Sequence, residues 1–358
     1  MAGSDWDGSS IDLSSPHPLR ASISFRQPAI IQPMIPRPRL QALFALGLAG
    51  CAGAYPSAAP RPATSAEPAV GVLVMAHGGS AIWNEAVHDA VGPLARDFPV
   101  EIALGMADSV SLQQGVTALE NRGVVRIAVV RLFISGHSFR EQTEYLLGLR
   151  SAPPASWAGH SGAGHGAGTR PVGRRADLRI SAHGIAESPV VGAILRQRVA
   201  RLSVDPKNES VLVLAHGMGN EDENGDVLRA MDLALDSIRT LGPFRSVRGE
   251  TLREDWPTER QAAEQRVRTF VQGHAAEGAV LVVPLRLAGF GPYGNVLAGL
   301  AYRADSTGLL PHPLVTEWLR ATAWEVMCKA RWRTGDRCAT APGSGVRRPI
   351  GPVLPGHS

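Results

Sequence analysis

The chain has 358 residues, 44% hydrophobic and 19% charged, with a formal net charge of +4 and a pI near 9.3. That length allows two ordinary domains with a sizeable core. The small, dispersed positive excess and an aromatic content of 5% argue against a base-stacking nucleic-acid surface, and suit an acidic small molecule at least as well.

Residues 1–33 read as a polar extension without periodicity. Residues 34–51 read as a lipoprotein-type signal. Arg37 and Arg39 form a basic start, Leu40 to Leu48 a short apolar core, and Leu48-Ala49-Gly50-Cys51 resembles a bacterial lipobox with Cys51 as the lipidated residue. The core is too short to span a bilayer, so membrane attachment is expected only through a lipid anchor. On this reading Met34 is the initiator and the protein is exported to the periplasmic face; with Met1 as initiator the export reading weakens and a cytoplasmic location follows. Residues 52–69, rich in Ala, Pro and Ser, suit a linker.

The first folded unit is expected over 70–203. Val70–Ala76 is a continuous apolar run, as in a parallel strand buried on both faces. Residues 81–98 and 112–122 have helical spacing, 100–106 alternates like a strand, and 124–134 is a strongly apolar strand ending in Ser135-Gly136-His137. A helix over 140–149 follows, then a Gly-, Ala-, Pro- and Ser-rich loop to Gly173, a strand over 177–182 and a helix opened by Ser188-Pro189. A second unit, over 210–330, repeats this order. Strand 210–215, helix 227–241, strand 244–252, helix 259–274, strand 279–287 and a helix opened by His312-Pro313 are read in turn. Residues 331–358 read as a disordered tail, rich in Gly and Pro from Thr340 on. The fold class expected is therefore α/β: two tandem repeats of a parallel-sheet, three-layer unit, with a cleft between them.

The repeat is explicit in the residues. Val72-Leu73-Val74-Met75-Ala76-His77-Gly78 returns as Val211-Leu212-Val213-Leu214-Ala215-His216-Gly217, and Gly136-His137 corresponds to Gly289-Phe290. The first unit keeps two strand-end histidines and the second keeps one. Open α/β sheets place ligands beyond the carboxyl ends of their strands, so His77 and His137 are candidates to converge on one ligand. Imidazole suits Co, Ni, Fe or Zn, and it is also a general base near neutral pH. Two protein ligands leave an ion under-coordinated, which fits a site that must release it.

The chain resembles the class II chelatases of the sirohydrochlorin cobaltochelatase family, in their long, duplicated form, from about Val70 to Ala323. The carriers are Val-Met-Ala-His77-Gly, the segment from Val100 to Met106, Val110-Ser-Leu before a helix, and Val-Arg-Leu-Phe-Ile-Ser-Gly-His137 with Glu141 four residues on. The resemblance implies ATP-independent insertion of a divalent metal into sirohydrochlorin or a related tetrapyrrole, in cobalamin- or sirohaem-type biosynthesis. Co²⁺ is the first expectation and Ni²⁺ or Fe²⁺ are open; no organic cofactor is implied. His77 and His137 stand where the family's two active-site histidines stand, binding metal or taking pyrrole protons. Arg140, Arg253 and His216 are candidate contacts for the carboxylate-rich substrate. The chain departs from the family where Met106 replaces a frequent Glu, Glu141 a usual Asp and Arg131 a usual Pro. Asp108, two residues after Met106, shares its face if the strand continues and could act as the acid or base, as could Glu141.

Three rival readings stand beside this one. An exported metal- or tetrapyrrole-binding protein that kept the fold without the reaction fits the Met106 and Phe290 departures. An α/β-hydrolase would use His77-Gly78-Gly79 and a Gly136-His137-Ser138-Phe139 elbow, but Arg140 stands where the elbow needs Gly. A histidine phosphatase needs Arg before His77, where Ala76 stands. Three cysteines form no Cys-x-x-Cys pair, against a structural zinc site, while Cys328 and Cys338 can pair in an oxidising compartment.

Overall fold

In the computed structural model the described residues are 69–155, 157 and 170–339. The expectations for the extension, the signal with Cys51, most of the linker, the centre of the Gly-rich loop and residues 340–358 lie outside them.

Each half is a four-stranded, wholly parallel sheet. In the first, β1 (Val70–Ala76), β2 (Val100–Leu104), β3 (Arg126–Leu132) and β4 (Asp177–Ile180) lie in the order β2-β1-β3-β4. In the second, β5 (Glu209–Ala215), β6 (Ser246–Thr251), β7 (Ala279–Leu285) and β8 (Arg303–Ala304) lie in the order β6-β5-β7-β8. The central strands β1 and β5 are buried along their whole length, which is why they read as unbroken apolar runs. Registers match across the repeat: Met75 lies beside Arg131 in the first sheet and Leu214 beside Pro284 in the second.

The helices are α1 (Ala81–Val91), α2 (Ser109–Asn121), α3 (Arg140–Leu146), α4 (Pro189–Leu202), α5 (Glu221–Arg239), α6 (Pro257–Ala275), the single turn α7 (Tyr293–Val296), α8 (Pro313–Lys329) and α9 (Asp336–Ala339). Their starts carry the expected chemistry. Ser80, Asp108, Ser188 and Asn220 accept backbone N–H groups at the starts of α1, α2, α4 and α5, and Pro189 and Pro313 occupy first positions, where a missing N–H costs nothing.

Two sequence boundaries need correcting. α4, the last helix of the first repeat, packs on α5 and β7 of the second half, and its Arg198 faces Asp305 there at 3.8 Å. α8, the last helix of the second repeat, packs on β3, β4 and α1 of the first half. There Thr316 donates to the Ala90 carbonyl at 2.8 Å and Arg320 pairs with Asp97 at 2.8 Å. The halves exchange their terminal helices, so 70–203 and 210–330 are not the folded bodies. One apolar core runs between the two sheets, from Val72 and Val130 through Ile194 and Leu195 to Val213, Leu319 and Val283. Each sheet has a separate core on its outer face.

The tail also begins later than expected. Cys328 and Cys338 form a disulfide, Trp332 is buried, and α9 is formed, so 331–339 is packed chain. No helix among the described residues is long and apolar enough to cross a membrane.

Candidate active site

His77 follows β1 by one residue and His137 follows β3 by five, and the ends of these adjacent strands, Ala76 and Leu132, are register partners. Both histidines therefore stand at the carboxyl edge of the first sheet. His77 is half-buried, and its Nδ1 lies 2.6 Å from the Gly78 carbonyl. A carbonyl only accepts, so the proton sits on Nδ1 and the Nε2 lone pair is open. Trp83 backs it, donating its indole N–H to the His77 carbonyl at 2.8 Å with ring centroids 5.8 Å apart.

His137 is oriented by the other half. Its Nε2 lies 3.1 Å from Asp226 Oδ2 on α5, which by the same argument places the proton on Nε2 and leaves Nδ1 open. Arg229 first, and His137 after it, hold the Asp226 carboxyl below the ordinary carboxylate value, so it stays an anion beside the imidazole well into the acid range. A carboxylate on the second nitrogen fixes ring orientation and raises ligand basicity.

The loop carrying His137 is tightly held. Arg131 is 1% exposed and donates to the carbonyls of Gly136, Ser138, Ser181 and Ala182 at 2.7, 2.9, 3.2 and 3.1 Å. Burial pulls its guanidinium down to about 10, with Arg140 acting in the same direction and Glu144 and Glu187 opposing, so it is still a cation at neutral pH. Glu187 accepts from the Gly136 N–H at 3.2 Å and also contacts His183. Phe139 turns the chain into α3 with φ 52°.

Several expected residues are engaged elsewhere. β2 ends at Leu104, and Gly105 and Ala107 with φ 145° and 54° break the strand before Asp108, which does not continue the face of Met106. The Asp108 carboxylate instead caps α2, accepting from Val110 and Ser111 at 3.3 and 2.8 Å. Glu141 pairs with Arg150 at 3.1 Å. Arg140 is exposed near His137 but pairs with Glu144 at 2.9 Å. Arg253 is buried, donates to the carbonyls of Met218 and Gly219 and pairs with Glu221, so it fastens a loop and presents no free guanidinium to a substrate. His216 has both nitrogens occupied, by the Gly217 carbonyl at 2.9 Å and by Asp255 at 3.2 Å, with Trp256 edge-on to it. Phe290, at the place of a second histidine, packs between Tyr293 and Tyr302 into the outer core.

The residues sequence reasoning missed are Asp226, Trp83, Asp255, Trp256 and Glu187. Only the aromatic spacing six residues after His77 offered any signal, since the other contacts come from distant elements. Among the described residues no group of three or more His, Cys, Asp or Glu side chains is arranged to hold a metal ion. A cavity of about 690 Å³ lies elsewhere, between β6 and α6, lined in part by Arg248, Arg266, Phe270 and His274. The two separate parallel sheets also differ from the single sheet a hydrolase elbow requires.

No protein-family model matches the chain. No curated protein matches it either. Solved structures do. SirB from Bacillus subtilis with Fe3+ is 15% identical, covers 74% of this chain and 97% of its own, and has a TM-score of 0.52. The sirohydrochlorin chelatase SirB from Bacillus subtilis subspecies spizizenii in complex with cobalt is 13% identical over 72% and 96%, at 0.47. CbiX, described as the terminal enzyme for biosynthesis of siroheme in denitrifying bacteria, is 18% identical over 70% and 98%, at 0.45. By the first of these likenesses, the fold that the sequence resemblance implied is the fold of this chain.

Proposed function

We propose that the protein is a class II-type metal chelatase, inserting a divalent ion into sirohydrochlorin or a related tetrapyrrole without ATP, with Co²⁺ the first ion to test. One observation carries the reading: two histidines stand at the same edge of adjacent parallel strands, each with one ring nitrogen tied to the protein and the other open. The metal and the macrocycle are both substrates. His77 through Nε2 and His137 through Nδ1 hold the ion with the remaining positions open to water and then to pyrrole nitrogens. Two pyrrole protons leave for each divalent ion that enters. As the ion passes to the macrocycle it frees the His77 Nε2 and His137 Nδ1 lone pairs, which take up the two protons and pass them to solvent, while Asp226 keeps the His137 ring oriented through Nε2.

The test is absorbance-monitored insertion of Co²⁺ into sirohydrochlorin, with His77→Ala and His137→Ala alongside. Acceleration over the uncatalysed rate, lost in both variants, is expected. Full activity in His137→Ala would sink the two-histidine site. The second reading, a metal- or tetrapyrrole-binding protein without turnover, is favoured by Phe290 in the second half, which stands at the place of a second histidine and packs against Tyr293. It predicts a Co²⁺-dependent thermal shift with no acceleration.

Export with lipidation at Cys51 belongs to the same proposal. The Cys328–Cys338 disulfide supports it, because such bonds persist in oxidising compartments. Cys51→Ala is expected to move the protein from the membrane to the soluble fraction in a bacterial host.

A further inference from the structure

Arg131 is a cation inside the first half with no function in the reaction just described. Taking a guanidinium out of water is costly, and here backbone carbonyls rather than a carboxylate receive it. Strand pairing does not require it. The register partner arrangement is the same in the second half, where Pro284 takes its place beside Leu214. What differs is the sequel: the half with Arg131 carries His137, and the half with Pro284 carries Phe290.

Two of the four carbonyls belong to Gly136 and Ser138, the residues on either side of His137. On the amide side, Glu187 Oε1 takes the Gly136 N–H at 3.2 Å and the Gly184 N–H at 3.0 Å. Both backbone polar groups of Gly136 are thus held by side chains of opposite charge. The approach is close: a Cβ on Gly136 would lie 2.5 Å from Glu187 Oε1 and would push the carboxylate away from the amide. Hydrogen bonds to charged groups are stronger than neutral ones, so this backbone is fixed more firmly than an ordinary loop.

We propose that Arg131 and Glu187 form a charged clamp on Gly136 that positions His137, aiming its open ring nitrogen at the ion. The clamp's purpose rests on the chelatase reading of His137. Neither residue touches the ion; both act through the loop.

The test uses the full chain with Arg131→Met, Arg131→Lys and Glu187→Ala. Three quantities are read: Co²⁺ affinity, with His137→Ala as the baseline; backbone amide exchange over residues 136–140; and kcat and KM for insertion. In Arg131→Met, exchange over 136–140 is expected to rise roughly tenfold while β1 amides are unchanged, and Co²⁺ affinity and kcat to fall by about tenfold or more with KM for the tetrapyrrole little altered. Arg131→Lys should recover part of each effect, since an ammonium reaches fewer of the four carbonyls. Glu187 is exposed, so Glu187→Ala should fold, and it should shift all three quantities in the same direction; it decides alone if Arg131→Met does not fold. Folded variants with Co²⁺ affinity and kcat near those of the wild type would overturn the positioning role. Wild-type binding no better than that of His137→Ala would remove the chelatase reading instead. Amide exchange then decides the clamp: unchanged rates overturn it, and faster rates sustain it.

Discussion

The two halves share a strand order, a register and a histidine after the central strand, yet their carboxyl edges are built for different ends. In the first, His77 and His137 each keep an open nitrogen, and the loop between β3 and α3 is pinned from both sides. In the second, His216 is occupied at both nitrogens, Arg253 ties down the following loop, and Phe290 has turned into its own core. Half-buried Arg286, just past β7, pairs with Glu254 and lies against Tyr293, and burial pushes the Tyr293 hydroxyl far up. The second half keeps the scaffold and supplies the Asp226 carboxylate that contacts the His137 ring of the first.

The most severe break of this comparison is to separate the halves. Residues 70–203 alone lack α8, which covers β3 and β4, so they are expected to show no cooperative urea transition, whereas the whole described chain should. Cooperative unfolding of that fragment would show that the helix exchange is dispensable.

A smaller change sharpens the contrast between the exchanged helices. α4 is held by chain on both sides, whereas the far end of α8 is fastened by the Cys328–Cys338 bond. Closing so short a loop is worth about 2–3 kcal/mol, so Cys338→Ser should lower thermal stability accordingly and reductant should add nothing further to it.

At the edges themselves, Asp226→Asn is expected to weaken Co²⁺ binding by about 10–100-fold, the usual effect of losing a carboxylate partner, while Asp255→Asn leaves it almost unchanged. Equal effects from the two would restore the second half as an active partner.

The smallest expected effect lies at the strand starts, where Val70 in the first half corresponds to Glu209 in the second. Burial pushes the Glu209 carboxyl up, but hydrogen bonds from Ser203, the Val204 and Asp205 amides and Arg303 outweigh it and hold the group below its ordinary value. A depressed folded value stabilises the protein above the unfolded value of about 4.3, and that contribution is lost as pH falls through the folded one. Glu209→Gln should cost about 1–2 kcal/mol at neutral pH and flatten the acid side of the stability profile.

The strands were legible because their chemistry is local. β1 and β5 are buried on both faces and show it as unbroken apolar runs, and Ser188-Pro189 and His312-Pro313 mark helix starts by their own hydrogen bonding. The partner of a helix is not local. α4 and α8 have apolar faces whatever they pack against, so their exchange left no trace in the periodicity. Asp108 was misplaced because alternation from Val100 extends past the true strand end, where positive φ at Gly105 and Ala107 breaks the chain direction. Arg253 was misread and Arg131 was given no role for a common reason. An arginine looks the same in sequence whether it faces solvent or spends its donors on backbone carbonyls, as both do here. Asp226 meets His137 across 89 residues, a distance over which no spacing rule operates.

The exchange of helices has a consequence for synthesis on the ribosome. The first sheet's inner face needs Val315, Leu319 and Ala323 from α8 to complete its cover, and these emerge about a hundred residues after α4. At about 5–20 residues per second, Val130 and Leu132 wait many seconds for their last packing partner. The inner face of the nascent first half therefore stays partly uncovered until the C-terminus arrives.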